Sequence, residues 1–269
     1  MKNDVMCEKA ARAPFGHAVS RRSFVRAALS ALFVPSFSRC VPGPLAPGLG
    51  GTPRLTVHPR APTQPAPMGA TALGLESGRD GILYVPSSYD PDTPAPLLVA
   101  LHGATGRAEN WASFYTDCES RGMIMLAVDS REYTWDRVLG GFGPDVPFID
   151  RALAFTFDRC LIDTDRIALG GFSDGASYAL SLGPSNGDIF THLLAYSPGF
   201  SVPSPPIIGS PRVFISHGRG DQILPVGGSR NEIVPTLRSL GYDVTYEEFD
   251  GRHELPLDIR ALGLDWFVG

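Results

Sequence analysis

The stretch Gly171-Phe172-Ser173-Asp174-Gly175 decides the fold predicted for this chain. An apolar run over 166–170 precedes it and is typical of a strand, and a run of small residues over 176–180 follows it and is typical of a helix. The two glycines let the chain turn so tightly that the serine hydroxyl stands above the sheet, at the positive end of the helix dipole. G-x-S-x-G alone arises often by chance, but between a strand and a helix it predicts a nucleophile elbow.

Strands and helices alternate around this stretch. Two short strands joined by a turn, a hairpin, are predicted at 73–76 and 81–85. Further strands are predicted at 97–102, 123–128, 193–196, 212–216 and 243–249, and helices at 111–118, 146–160, 233–240 and 257–268. This order predicts an α/β protein with a mostly parallel central sheet, helices on both faces and an N-terminal antiparallel hairpin.

Three polar side chains follow three of these predicted strands. Ser173 lies in the elbow, Asp221 follows the strand over 212–216, and His253 follows the strand over 243–249. The carboxyl ends of parallel strands meet at one edge of a sheet, so these residues are expected to lie together. A serine needs a neutral imidazole to take its proton, and the imidazole needs a carboxylate to fix its tautomer. The chain order Ser, Asp, His is that of the α/β-hydrolase triad.

Other polar residues near the predicted site have simpler roles. His217 is a rival base, but it gives the order Ser, His, Asp and is expected to be a packed structural histidine. His102 is expected to shape the loop after its strand, and His192 to begin a strand or lie at the surface. Glu254 is adjacent to His253 in sequence and therefore points the wrong way to orient its ring.

From about Gly74 to its end, the chain resembles the compact α/β-hydrolase esterases, above all the secreted polyhydroxybutyrate depolymerase-like and feruloyl esterase-like enzymes, with the phospholipase/carboxylesterase group nearby. The stretches that carry the resemblance are 84–89, 101–103, 171–175, 217–221 with Pro225, and 251–253. The resemblance implies an α/β-hydrolase fold and hydrolysis of carboxylic esters through an acyl-enzyme, with no cofactor and no metal. No insertion between the late strands is long enough for a large cap domain.

An oxyanion hole in such an enzyme is built from two backbone N–H groups. One is expected from Asp174, the residue after the nucleophile, and the other from Ala104 in the loop after the strand over 97–102. Residues expected to line a substrate pocket are Tyr133, Trp135, Phe142, Phe200, Ile223 and Leu224. The aromatic members of this set can equally serve to pack the loop over 130–145.

Two other functions stay open at this point. A serine peptidase can have the same architecture, although it usually brings an additional domain or a site for a peptide terminus. A non-catalytic binding protein can also use this fold, but it typically lacks one member of the triad.

Charge is distributed unevenly along the 269 residues. Residues 1–40 contain seven Lys and Arg against two Asp and Glu, and the remainder contains 16 against 26. The acidic body argues against nucleic acid as a partner, and no apolar run reaches the roughly 18 residues of a membrane span. The N-terminal segment, with Arg21-Arg22 before an apolar run, resembles a twin-arginine export signal. The alternatives are a basic tail or a short amphipathic helix; lipidation at Cys40 is disfavoured because Arg39 precedes it.

The domain organisation predicted from these patterns has three parts. Residues 1–40 form the export signal, 41–68 a Pro/Gly-rich disordered spacer outside the fold, and 69–269 the catalytic domain. The spacer is assigned from its eight prolines, which fix φ and donate no backbone hydrogen bond. Of the cysteines in the catalytic domain, Cys118 and Cys160 are expected to be separate buried thiols, with a disulfide as the alternative that export allows.

Overall fold

A computed structural model describes residues 51–269. The predicted export signal and the first ten residues of the predicted spacer lie outside the described residues. Among residues 51–269, no helix is both long enough and apolar enough to cross a membrane.

Eight strands and six α-helices make up the described chain. The strands are β1 (Gly69–Ala72), β2 (Gly81–Val85), β3 (Ala95–Leu101), β4 (Ile124–Val128), β5 (Ile162–Phe172), β6 (His192–Tyr196), β7 (Arg212–Gly218) and β8 (Val244–Phe249). The α-helices are α1 (Tyr115–Arg121), α2 (Asp136–Leu139), α3 (Asp145–Phe157), α4 (Asp174–Leu182), α5 (Val234–Ser239) and α6 (Leu257–Val268). Short 3₁₀ turns at Ala108–Phe114 and Gly183–Ser185 and a π turn at Ser229–Ile233 complete the elements.

All eight strands form one sheet in the order β1-β2-β4-β3-β5-β6-β7-β8. β1, β2 and β4 pair antiparallel, and every pair from β4 to β8 is parallel. This is the predicted mostly parallel sheet with an antiparallel hairpin at one edge. The carboxyl ends of β3, β5, β7 and β8 therefore lie along the same side of the sheet.

The sheet is covered on both faces, as its continuous apolar strands predict. In β3, Leu97, Val99 and Leu101 belong to one core, while Leu98 and Ala100 belong to the other. Helices α3, α4 and α5 contribute to the first core, and α1 and α6 to the second. The period-2 alternation of a strand thus divides the buried residues between two layers.

The N-terminal hairpin differs from its prediction in register. The first strand is Gly69–Ala72, and the predicted strand at 73–76 is instead part of the turn. The carboxylate of Asp80 accepts hydrogen bonds from the backbone N–H groups of Gly74 and Leu75, at 2.7 and 3.1 Å. The N–H of Leu73 still donates to the carbonyl of Gly81 in β2 at 3.0 Å, but the bonds to Asp80 fold the chain back directly after it, so the rest of the predicted strand belongs to the turn.

The prediction that residues 41–68 lie outside the fold is wrong for the described part. Residues 51–67, which we call the strap, pack against the domain. Leu55 is 1% exposed, and its N–H donates to Oδ1 of Asn186 at 2.9 Å. Nδ2 of Asn186 donates to the carbonyl of Pro53 at 2.7 Å and to that of Leu182 at 2.9 Å. Asn186 thus accepts from one backbone N–H of the strap and donates to one of its carbonyls, which holds this proline-rich segment at the end of α4.

Three aspartates of the domain fasten the rest of the strap. Asp188 forms a bidentate ion pair with Arg54, in which both nitrogen–oxygen distances are 2.8 Å. Asp150 accepts from the backbone and the hydroxyl of Thr56, at 2.8 and 2.6 Å, and Asp158 accepts from the hydroxyl of Thr63 at 2.6 Å. The strap is therefore ordered by side chains of the domain.

Cys118 and Cys160 are free thiols, each fully buried. Cys118 lies in the core beneath α1, and Cys160 lies in the core on the other face of the sheet. The expectation of two separate buried thiols is confirmed, because a disulfide cannot pass through the sheet.

Candidate active site

The elbow at Ser173 is the tight turn that its sequence predicts, and its backbone is strained. Ser173 has φ 57° and ψ −117°, in a region that side-chain-bearing residues rarely adopt. A Cβ atom on Gly171 would lie 2.4 Å from the carbonyl carbon of Gly175, and one on Gly175 would lie 2.1 Å from the carbonyl oxygen of Leu101. Both glycines are required because backbone occupies the space of a side chain. The serine is thus held at the end of β5 and the start of α4.

The structure brings the three predicted side chains together. Oγ of Ser173 lies 2.8 Å from Nε2 of His253, and Nδ1 of His253 lies 2.6 Å from Oδ2 of Asp221. Ser173 and Asp221 are 7% and 6% exposed, so the hydrogen bonds are largely shielded from water. With the ring accepting at Nε2 and donating at Nδ1, a proton can pass from the hydroxyl to the imidazole while the carboxylate faces the cation that results.

The carboxylate of Asp221 is held by donors on both oxygens. Oδ1 accepts from the backbone N–H groups of Ile223 and Leu224, each at 2.9 Å. Burial raises the pKa of Asp221, but the hydrogen bonds from His253 and from these two N–H groups outweigh it, and the net pKa is below its usual value. Asp221 is therefore ionised near neutral pH.

His217, the rival base, lies beneath this carboxylate. Its Nε2 is 2.7 Å from the carbonyl oxygen of Leu224 and 3.2 Å from Oδ2 of Asp221, and its Nδ1 is 2.8 Å from Oγ of Ser229. The ring is fully buried and forms no hydrogen bond to Ser173. His217 is thus a packed histidine that supports the Asp221 loop.

The loop after β3 lies against the nucleophile. A Cβ on Gly103 would be 3.4 Å from Cβ of Ser173. The N–H groups of Thr105 and Gly106 donate to the carbonyls of Tyr133 and Gly103, at 2.6 and 3.0 Å, so neither is available to an oxyanion, and the N–H of Ala104 stays the predicted donor. We call residues 102–106 the oxyanion loop.

Asp174 presents its backbone and its side chain to different partners. As the first residue of α4, its N–H has no partner within the helix. Its carboxylate turns to the loop over 130–145 and accepts from the hydroxyl of Thr134 at 2.6 Å. This leaves the N–H of Asp174 as the second candidate donor for an oxyanion.

An arginine from the hairpin turn supports the oxyanion loop. Arg79 donates to the carbonyls of Gly106, at 2.7 Å, and Ser130, and its Nη2 lies 3.1 Å from Nε2 of His102. Nε2 of His102 also accepts from the N–H of Ser130 at 3.0 Å, while Nδ1 lies 2.6 Å from the carbonyl of Gly103. Burial lowers the pKa of His102, and the charge of Arg79 lowers it further, consistent with a neutral ring that accepts at Nε2. His102 shapes this loop as predicted.

The residues predicted to line a substrate pocket separate into two groups. Trp135 and Phe142 are 0% and 3% exposed and pack on Tyr178. Nε1 of Trp135 donates to the carbonyl of His102 at 2.8 Å, so these two aromatics pack the loop, the alternative that the sequence left open. Tyr133 and Ile223 are exposed, and Phe200 and Leu224 are half-buried.

The remaining predicted residues take simple positions. His192 begins β6 and packs on Trp266 and Phe267; burial lowers its pKa to about 4. Glu254 accepts from the backbone N–H of Arg252 at 2.9 Å, in the same turn as His253. Within residues 51–269, no three His, Cys, Asp or Glu side chains gather in a way that could hold a metal ion.

Sequence reasoning missed Arg79 and Arg260. The sequence places Arg79 only in the turn over 77–80, and no local pattern marks it as a support for a distant loop. Arg260 lies within the predicted final helix, and no sequence signal separates it from a surface arginine. It lines a cavity beside the oxyanion loop, together with Trp111, Phe114, Phe172 and Leu255.

No family model matches the chain. The chain is similar to feruloyl esterase B of Thermothelomyces thermophilus, with 30% identity over 125 residues, which are 43% of this chain and 42% of that protein. The chain thus spans less than half the length of this curated relative.

Solved structures share the fold over most of their length. Esterase PE8 superposes with a TM-score of 0.55 at 22% identity, over 71% of this chain and 96% of its own. The carboxylesterase of Bacillus cereus gives 0.55 at 19% identity, over 71% and 94%. The S-formylglutathione hydrolase FrmB of Staphylococcus aureus gives 0.56 at 13% identity, over 76% and 100%. This sheet order, with an elbow after β5, is the α/β-hydrolase fold, which the chain shares with these solved structures.

Proposed function

We propose that the protein is a serine hydrolase that cleaves carboxylic esters through an acyl-enzyme. The observation that carries the proposal is the hydrogen-bonded series from the Ser173 hydroxyl through His253 to Asp221, at 2.8 and 2.6 Å. Similarity to proteins named feruloyl esterase and carboxylesterase supports an ester as the substrate class.

The proposed reaction has two halves. In the first, Nε2 of His253 takes the proton of Ser173 as Oγ attacks the ester carbon, and the imidazolium then returns the proton to the leaving alcohol. The N–H groups of Ala104 and Asp174 receive the oxyanion of the tetrahedral intermediate. In the second half, His253 activates a water, which releases the acid and restores the hydroxyl of Ser173.

Variants of the triad test this proposal. With 4-nitrophenyl acetate and butyrate, Ser173→Ala is expected to abolish turnover above background, and Asp221→Asn to lower kcat by about 10⁴-fold because the ring loses its tautomer. His58→Ala is the matched control for His253→Ala, since His58 is half exposed and outside the site. A fluorophosphonate probe should label the wild type and not Ser173→Ala. Full activity of His253→Ala would contradict the proposal.

The same proteins separate the two alternative functions and the substrate classes. Turnover of aminoacyl amides without ester turnover would indicate a peptidase, and absence of both, with no probe labelling, would indicate a binding protein. Among esters, a feruloyl ester and a hydroxybutyrate oligomer distinguish the two groups that the sequence resembles. We expect the protein to hydrolyse at least one of these two esters with a higher kcat/KM than any aminoacyl amide.

We also propose that the chain is exported by the twin-arginine route. Support comes from Arg21-Arg22 and the apolar run that follows. Residues 1–50 fused to a reporter protein should direct it out of the cytoplasm, and replacement of both arginines by lysine should prevent this. Equal export of the lysine variant would remove the proposal and leave the hydrolase proposal untouched.

A further inference from the structure

A cavity of about 440 Å³ lies beside the triad, between the oxyanion loop and α6. This volume is within the range of pockets that bind small molecules. Its lining includes Ala104 and the aromatic residues Trp111, Phe114 and Phe172. No use of this cavity follows from the triad alone.

The position of the cavity relative to His253 indicates which part of an ester enters it. The ring of Phe172 lies 4.8 Å from the ring of His253, and Leu255 follows His253 by two residues; both line the cavity. In ester hydrolysis His253 must reach the oxygen of the leaving alcohol to protonate it. The alcohol therefore leaves on the side of the cavity.

The walls of the cavity combine aromatic rings with one cation. Arg260 is the one permanently charged side chain among the described residues lining the cavity; the other titratable one is His102, whose pKa is lowered by burial. Its guanidinium lies 4.5 Å over the ring of Phe114, binds Asp117 through Nη2 at 2.8 Å, and contacts Oγ of Ser113 through Nη1 at 3.3 Å. Each terminal nitrogen has two N–H groups, so each retains one after these contacts.

We propose that this cavity binds the alcohol arm of the ester, and that Arg260 selects aromatic alcohols that carry a carboxylate. The proposal rests on the proposed ester hydrolysis. Aromatic walls favour a planar ring, and a guanidinium favours a carboxylate, which it can bind with two parallel hydrogen bonds. Hydrolysis of such an ester adds one water and releases the acid and a hydroxyaryl carboxylate.

Two acetyl esters that differ only at the far end of the alcohol test the proposal. 4-Acetoxybenzoate carries the carboxylate, and its methyl ester does not. The measured quantity is the ratio of kcat/KM for the charged ester to that for the neutral ester. Because each substrate has its own chemical reactivity, the ratio of each variant is compared with that of the wild type.

Arg121 provides a matched control for Arg260. Both arginines bind Asp117, at 3.0 and 2.8 Å, and their side chains are 14% and 13% exposed, but Arg121 does not line the cavity. Arg260→Met is expected to lower the ratio by about 10- to 100-fold, the effect of a lost hydrogen-bonded charge. Arg121→Met is expected to leave the ratio unchanged. Arg260→Lys keeps the positive charge but loses the bidentate geometry of the guanidinium, so its ratio should lie between those of the wild type and Arg260→Met.

The outcomes separate this proposal from the proposed function. An unchanged ratio in Arg260→Met, or an equal loss for both esters, overturns the carboxylate subsite while neutral-ester turnover preserves the hydrolase. No turnover of either ester by the wild type counts against the proposed function itself. The subsite can also be tested without turnover. Calorimetry should show that 4-hydroxybenzoate binds more tightly to Ser173→Ala than to the double variant that also carries Arg260→Lys. Equal affinities of the two variants would overturn the subsite.

Discussion

Replacement of Arg79 by methionine tests whether the hairpin turn supports catalysis from a distance. Arg79 does not contact the triad, but its guanidinium joins the carbonyl of Gly106 in the oxyanion loop to the segment after β4. Methionine fills similar space and donates no hydrogen bond, so the Gly106 carbonyl and His102 lose a charged partner. The oxyanion loop is then free to move relative to Ser173.

The size of the effect follows from what the loop supplies. Complete loss of one oxyanion donor costs about 10²- to 10³-fold in kcat, and a displacement of about 1 Å near the reacting atoms costs about 10²-fold. Loss of a hydrogen bond from a charged donor costs about 1.5–3 kcal/mol of stability. We therefore expect Arg79→Met to lower kcat for 4-nitrophenyl butyrate by about 10²-fold, with little change in KM.

Arg54→Met is the control, because Arg54 also donates to a backbone carbonyl and a second partner. Its partners, Ser185 and Asp188, follow the C-terminal end of α4, whereas Ser173 precedes the N-terminal end of this nine-residue helix. Steady-state kinetics and thermal unfolding should show a loss of stability in both variants and a loss of kcat only in Arg79→Met. Equal kcat in Arg79→Met and the wild type would refute the supporting role of Arg79.

Three further changes have outcomes set by single sites. Gly175→Ala should lower kcat more than 100-fold and stability by about 1–3 kcal/mol, because its Cβ would lie 2.1 Å from a backbone oxygen. Gly78→Ala, where nothing lies within 4 Å of the added Cβ, should leave kcat unchanged; equal kcat values in Gly175→Ala and Gly78→Ala would contradict the role of Gly175. Asn186→Ala removes three buried hydrogen bonds to the strap and the end of α4, and should cost about 2–4 kcal/mol, or roughly 5–15 °C in Tm by calorimetry. Burial, and then the charge of Asp136, raise the pKa of Asp145 to about 6. Because this carboxyl group ionises at a lower pH in the unfolded chain than in the folded one, urea unfolding should show the wild type losing about 2 kcal/mol of unfolding free energy relative to Asp145→Asn between pH 4 and pH 6.5. A difference that stays constant with pH would disprove this.

The parts of the fold that sequence predicts are those governed by local pattern. The strands around the elbow are continuous apolar runs, and Gly171 and Gly175 are required by the turn itself. The loops that hold Asp221 and His253 follow from the strand ends, because a parallel sheet places those ends on one side. Neighbouring residues therefore carry most of the information about the fold.

The parts that sequence does not predict depend on distant partners. The strap has the composition of a spacer, and its order comes from Asn186 and from aspartates roughly 90–135 residues away. β1 ends earlier in the chain than predicted, because the carboxylate of Asp80 binds the backbone N–H groups of Gly74 and Leu75 and holds them in the turn. Trp135 and Phe142 are aromatic and close to the site in sequence, but only the packing on Tyr178 decides that they face inward.

The two buried free thiols, Cys118 and Cys160, can report unfolding of the domain through their reaction with a thiol reagent. Burial raises the pKa of Cys118 and of Cys160 to about 12, so neither forms a thiolate near neutral pH while the chain is folded. In a variant with serine at positions 7 and 40, a thiol-reactive dye would therefore label only molecules that have opened. Because one thiol lies on each side of the sheet, mass spectrometry of the labelled peptides would reveal which layer separates first.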